Sequence, residues 1–255
     1  MGLFDKKFCD ICGEKIGLFG TRKLEDGKMC SKCAKKLSPW FSERRQSTLE
    51  EIRAQLAYRE DNRQRVAAFH TTRSLGGTTR VLLDEDARRF LVTDARNLEE
   101  ANPDVLDFAQ VTGCELDIEE HRSEEYREVD GKTVSFNPRR YRYSYDFYVT
   151  IRVNHRYFSE MRFRLNPGSV EVGTQPMGAG VGGWGFRRMG AGEYEQYIQM
   201  GNEIKEALTQ ARQEAREAQQ SAQAPKAARV CPFCGATTFP DASGRCEYCG
   251  SPVGD

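Results

Sequence analysis

Nowhere does the 255-residue chain run apolar for the roughly 18 residues that a membrane-spanning helix needs. Histidine is scarce: the three present, His70, His121 and His155, stand far apart and show no partner pattern for metal or nucleophilic chemistry. The opening Met1-Gly2-Leu3-Phe4-Asp5-Lys6 lacks the apolar core and small-residue cleavage site of a secretory signal. Lys6 also stands where an N-myristoylation motif wants Ser or Thr. A cytoplasmic location is the expectation. Net charge is absent too, since 38 Lys and Arg face 38 Asp and Glu.

The zero is a balance of segregated charge. Met1 to Arg45 holds eleven Lys or Arg against six Asp or Glu, a net +5, whereas Asp84 to Asp130 holds five against sixteen, a net −11. A basic head of this kind can address nucleic acid, anionic lipid or the chain's own acidic middle. The plainer reading is the solvated faces of ordinary domains.

What the sequence does have is paired cysteine. Eight of its nine cysteines fall into Cys-x-x-Cys pairs: Cys9/Cys12, Cys30/Cys33, Cys231/Cys234 and Cys246/Cys249. A tight turn between two cysteines lets them donate adjacent corners of a tetrahedral metal shell, and a second turn completes it. Glycine after the second cysteine, as at Gly13, Gly235 and Gly250, lets the chain leave the turn with positive φ. The expected metal ligands are therefore Cys9, Cys12, Cys30 and Cys33 at one end and Cys231, Cys234, Cys246 and Cys249 at the other. The set points to two zinc ions, with iron in a four-thiolate shell as the alternative. No thioredoxin-like pattern surrounds the pairs, which argues against redox dithiols. With all four corners filled by protein, no position is left for water or substrate, so the metals are expected to be structural. Cys114 occupies an apolar strand position and is expected in the core.

Between the cysteine sets the period of hydrophobicity changes several times. Residues 1–45 form the first module, followed by a connecting helix over 46–74. Ser47-Thr48-Leu49-Glu50 reads as its capping box, and Leu49, Ile52, Leu56, Val66 and Phe69 as the stripe packed on the central domain. Residues 75–220 form a β-rich domain ending in a long amphipathic helix. Arg80–Asp84 and Arg89–Thr93 read as a hairpin, and Tyr141 to Val153 alternates strictly, apolar residues on odd positions. A linker over 221–229 leads to the last module, 230–255. The fold class expected is α+β.

Three resemblances follow from these features. Cys9-x-x-Cys12-Gly13, Gly17-Leu18-Phe19-Gly20, Leu24-x-Asp26-Gly27 and Cys30-x-x-Cys33 resemble an uncharacterised N-terminal four-cysteine family, found mostly in Gram-positive bacteria. It implies a treble-clef-like metal module and a bacterial origin, and no activity. The order of antiparallel strands closed by one helix resembles the pleckstrin-homology or GRAM type. Cys231-Pro-Phe-Cys234-Gly235 and Cys246-Glu-Tyr-Cys249-Gly250 are similar to a short zinc ribbon turning at Asp241 to Gly244.

Two further strings carry less. Gly178-Ala-Gly-Val-Gly-Gly183 has the G-x-G-x-x-G spacing but lies in an antiparallel region, in a glycine-rich loop over 173–192, without the strand–helix context of a dinucleotide site. Trp184 and Phe186 in that loop can form a contact tip for a partner or lipid. Tyrosine and arginine interleave from Arg139 to Arg152 as on a base-stacking surface, but strict alternation fits a buried face and a solvated one better. The expectation is a zinc-binding, non-enzymatic interaction protein whose central domain binds protein or lipid. Nucleic-acid binding through the basic module is the alternative, and a nucleotide enzyme ranks last.

Overall fold

The structure, a computed structural model, describes residues 7–176, 186–189, 191–223, 228–239 and 244–253. It is α+β with antiparallel sheets throughout, and it divides into two compact units, Met1–Gln213 and Glu214–Asp255. No helix among the described residues is long and apolar enough to cross a membrane.

The first unit opens with the cysteine module. A knuckle bridged at Phe8 and Lys15 leads to the hairpin β1 (Thr21–Lys23) and β2 (Lys28–Cys30), then to a one-turn helix α1 (Ser31–Ala34). Helix α2 (Leu49–Ala67) follows. Its N-cap is Thr48, not Ser47: Thr48 accepts from the Glu51 amide while Glu51 reaches back to the Thr48 amide. The box therefore sits one residue later than the sequence suggests. Asp26 of the β1–β2 turn sets that register by accepting from the Leu49 amide at 2.8 Å.

The buried face of α2 is Ile52, Gln55, Arg59, Asn62 and Val66, a three–four spacing that keeps one stripe inward. Its two ends serve different cores. Ile52, with Leu49 and Leu56, completes the cluster of Ile16, Leu24, Met29 and Leu37 in the cysteine module. Val66 packs with Leu82, Leu91 and Val105 of the next sheet. The helix thus belongs to both, not to the central domain alone.

That next sheet is a meander of β3 (Arg73–Gly76), β4 (Arg80–Asp84), β5 (Arg89–Thr93) and β6 (Leu106–Asp107), with helix α3 (Leu98–Ala101) between the last two. The expected 80–93 hairpin is present, with Arg80 opposite Thr93. Apolar residues on both of its faces are buried, Val81, Leu82, Leu83, Phe90, Leu91 and Val92.

The second sheet is built on two long strands, β7 (Val111–Val129) and β8 (Lys132–Val153). One edge of β8 pairs with β7; the other pairs with β9 (Glu160–Arg164) and then β10 (Val170–Pro176). Strand β11 (Phe186–Met189) pairs with β10, so both flanks of the expected 173–192 loop are extended and hydrogen-bonded. Residues 177–185, with the G-x-G-x-x-G string and Trp184, lie outside the described residues, as does the side chain of Phe186. The predicted alternation holds where the sheet has a core: Phe147, Val149, Ile151 and Val153 are buried, and Tyr141, Tyr143 and Tyr145 only partly. Helix α4 (Ala191–Gln223) closes this side. Its Tyr194 and Tyr197 rings meet Phe147 at 5.1 and 5.5 Å, and a Cβ added to Gly201 would lie 2.5 Å from Leu116. Glycine there lets helix and strand approach closely.

Beyond Tyr143 the β7–β8 pair continues as a two-stranded ribbon to a turn at Asp130-Gly131, both residues at positive φ. That is the two-residue type I′ signature for which Asp-Gly is preferred. His121 lies on β7, its Nε2 3.3 Å from Asp146.

The second unit contains the hairpin of β12 (Arg229–Val230) and β13 (Thr237–Thr238), and a bridge between Arg245 and Pro252. Residues 241–243 of the expected ribbon turn lie outside the described residues.

Candidate metal centres

Three of the four cysteine pairs share one backbone pattern, and it follows from their sequences. In each, the amide of the glycine four residues on donates to the carbonyl of the first cysteine: Gly13 to Cys9, Gly235 to Cys231 and Gly250 to Cys246, all at 2.8 Å. The first cysteine's own amide donates to the carbonyl five residues on, Glu14, Ala236 or Ser251. The glycines have φ of 74°, 71° and 69°, a region any side chain would strain. Such a turn points both thiols the same way and leaves the backbone N–H groups between them directed at sulfur.

The fourth pair is different. Cys30 ends β2 and caps α1, so its Sγ accepts from the Cys33 amide at 3.4 Å. Pairing of Thr21 with Cys30 brings this pair beneath the first knuckle, where the Cys30 amide donates to Cys9 Sγ at 3.2 Å. Knuckle, hairpin and helix-borne pair is the arrangement anticipated for the N-terminal module.

The structure brings all eight predicted cysteines together in two sets of four: Cys9, Cys12, Cys30 and Cys33, and Cys231, Cys234, Cys246 and Cys249, the sulfurs of each within 4.8 Å of one another. Cys9 and Cys33 sulfurs are 3.9 Å apart and those of Cys12 and Cys30 3.8 Å. In the second set Cys231 to Cys249 is 3.6 Å and Cys234 to Cys246 3.8 Å. A disulfide needs about 2.0 Å. A tetrahedral shell with metal–sulfur bonds of about 2.3 Å sets its corners about 3.8 Å apart. The spacing is that of a tetrathiolate metal shell.

The electrostatics suit a cation as well. Burial pushes the Cys9 thiol up, but amides of Cys12, Cys30 and Ile11 outweigh it and bring the pKa down to about 6. The Ser251 hydroxyl and amide bring Cys249 down to about 6. Burial and the surrounding thiols push Cys33 far up. Four thiols so placed compete for ionisation until a cation joins them. Cys114 takes no part: it is buried on β7, and burial pushes it up to about 12.

Three groups of interacting side chains escape a linear reading. Arg59 of α2 pairs with Asp104 at 2.8 Å, their side chains only 7% and 0% exposed. Asp104 also accepts from Ser38 at 2.7 Å, and Arg59 donates to the carbonyls of Lys36 and Asn102. Asn62 donates to Pro103 and accepts from the Val105 amide. These bonds join the cysteine module, α2 and the segment before β6 through buried polar groups. The second group is aromatic: Tyr58, His155, Tyr157 and Phe158, with His155 4.2 Å from Phe158. In the third, Asp146 is held between His121, Arg164 and Asn166. The carboxylate is at the centre of that group, where a nucleophilic triad places its histidine.

The model of a family described as a domain of unknown function (DUF4428) matches residues 7–55. The matched stretch takes in the whole first cysteine set and runs into α2 as far as Gln55, matching the turns of α2 that complete the module's core. No curated protein and no solved structure matches the chain.

Proposed function

We propose that this chain is a zinc-dependent, non-catalytic interaction protein, in which two structural zinc ions hold small docking modules and the central domain binds protein or lipid. The observation that carries the reading is the closure of both sulfur sets: each offers four thiols at tetrahedral spacing and leaves no corner for substrate. The central region is read as pleckstrin-homology or GRAM-like, supported by a four-stranded meander, a second antiparallel sheet and a closing helix.

Protein or lipid is favoured over nucleic acid by how the arginines are used. Arg152 pairs with Glu115, Arg162 with Glu119, Arg139 with Glu124 and Arg142 with Glu125, so the acidic strand β7 already neutralises the cations that this sheet would offer a phosphate backbone.

The test compares two double variants in the full chain. Cys12→Ser/Cys33→Ser is expected to lose one zinc and lower the main thermal transition, because the module shares α2 with the meander. Cys234→Ser/Cys249→Ser is expected to lose one zinc and leave that transition in place. Full metal retention by either variant would contradict the assignment.

A further inference from the structure

The most exposed large apolar side chains among the described residues are adjacent: Leu18 is 91% and Phe19 89% exposed. They are presented by a built turn. The Gly20 amide donates to the Gly17 carbonyl at 3.0 Å, which leaves Leu18 and Phe19 at its apex. Ile16, buried in the module core, anchors one side; a Cβ on Gly20 would lie 3.3 Å from its Cγ2. β1 anchors the other side. Arg22 on that strand donates to the Phe19 carbonyl at 3.2 Å, which fixes a guanidinium beside the apex.

The cations around this tip are unspent. Lys7, Lys15, Arg22 and Lys23 are exposed, and none forms an ion pair among the described residues. Of the module's carboxylates, Asp10 and Glu14 pair with Lys28 and Lys32, while Glu25 and Asp26 lie at the β1–β2 turn. Arg44 donates to the Lys23 carbonyl; burial lowers its pKa, and so do the nearby charges of Arg45 and Arg22. Arg22 thus stands beside the apex with Arg44 and Arg45 near it, and Lys15 precedes Leu18 by three residues.

We infer that the Leu18-Phe19 turn is a membrane-insertion tip, which enters the headgroup region of an anionic lipid surface while Lys7, Lys15, Arg22 and Lys23 meet the headgroup charges. Two apolar side chains fall far short of the about 800 Å² that each partner of a stable protein complex contributes. They suffice for an interfacial anchor, because partition into a bilayer surface adds apolar burial to attraction between cations and anionic lipid. The site lies in the cysteine module and does not depend on how the central domain is read.

The experiment is vesicle co-sedimentation of the zinc-loaded full chain with phosphatidylcholine alone and with phosphatidylcholine–phosphatidylserine mixtures. Leu18→Ser/Phe19→Ser removes the tip at positions that touch little else, and Lys15→Glu/Lys23→Glu reverses the collar. Both variants are checked for unchanged zinc content. The wild-type chain is expected to bind only the anionic vesicles, with salt weakening it, and each variant to bind about tenfold less or worse. Equal binding by the tip variant would overturn the inference by placing lipid contact elsewhere. So would an absence of vesicle binding, or a tip-dependent dimer in sedimentation velocity without any vesicle binding.

Discussion

Arg59 shows what a single buried residue contributes here. Its guanidinium is bonded on three sides, to Asp104 and to the carbonyls of Asn102 and Lys36. Removing it leaves the Asp104 carboxylate buried without its ion-pair partner, with Ser38 still donating to it. We expect Arg59→Met to lower unfolding free energy in urea by about 3–5 kcal/mol, and Arg59→Met/Asp104→Leu to recover part of the loss. A single-variant loss below about 1 kcal/mol would mean the pair is solvated. His155 gives a pH handle. Burial among Tyr58, Tyr157 and Phe158 holds its pKa below the ordinary histidine value; Asp104 opposes the shift and Arg65 adds to it. The unfolded chain therefore takes up this proton first. The stability contributed by neutral His155 is complete above about pH 6.5 and falls as pH drops from there through the folded pKa. Thermal scans from about pH 8 to about pH 5 should show a shallower slope in His155→Phe than in the parent; identical slopes would remove His155 from the account.

Elements of this chain were legible where local pattern and final packing agree. The alternation ending at Val153 and the closing helix each put one recurring apolar face on a core, and the 80–93 hairpin buries two short apolar runs on both faces, so these patterns read through. Other features depend on partners far along the chain. Arg59 and Asn62 interrupt the apolar stripe of α2 because their partners are Asn102 to Val105, some 40 residues away. The cap of α2 moved to Thr48 because Asp26 takes the Leu49 amide. The ribbon beyond Tyr143 has no core to impose a period; its one local signature, Asp130-Gly131, was present and went unread among the charges. Backbone demands are sharper at Gly76, which ends β3 with φ of 96° and has the Thr79 carbonyl oxygen 2.6 Å from where a Cβ would stand. That oxygen is backbone and has little room to retreat. Gly76→Ala is expected to cost about 2 kcal/mol or more in urea unfolding. Gly168→Ala, with open space and no positive φ, is expected within about 0.5 kcal/mol of the parent. Equal effects would contradict the turn geometry.

At the scale of the whole molecule, the two metal modules are attached to different things. The first shares helix α2 with the meander, and Ser38 and Lys36 join the buried Arg59–Asp104 pair, inside the unit Met1–Gln213. The second lies in the unit Glu214–Asp255, and its buried apolar cluster consists of Cys231, Cys246 and Val253. A core that small cannot offset the entropy of ordering its chain, so metal binding and folding should be one event there. The two sets of four cysteines that the structure brings together were legible from spacing alone, since the knuckle is a local structure that its own four or five residues dictate. What spacing could not convey is which surface each module presents, because exposure at Leu18 and Phe19 depends on where Ile16 and β1 anchor the turn. The most direct test of the central claim is metal content by mass spectrometry on chain purified without added metal, with thiols counted before and after chelation. Two zinc ions per chain, and eight thiols uncovered only on chelation, are the predicted result. Iron in their place, or a metal-free chain with its cysteine pairs joined as disulfides, would contradict it.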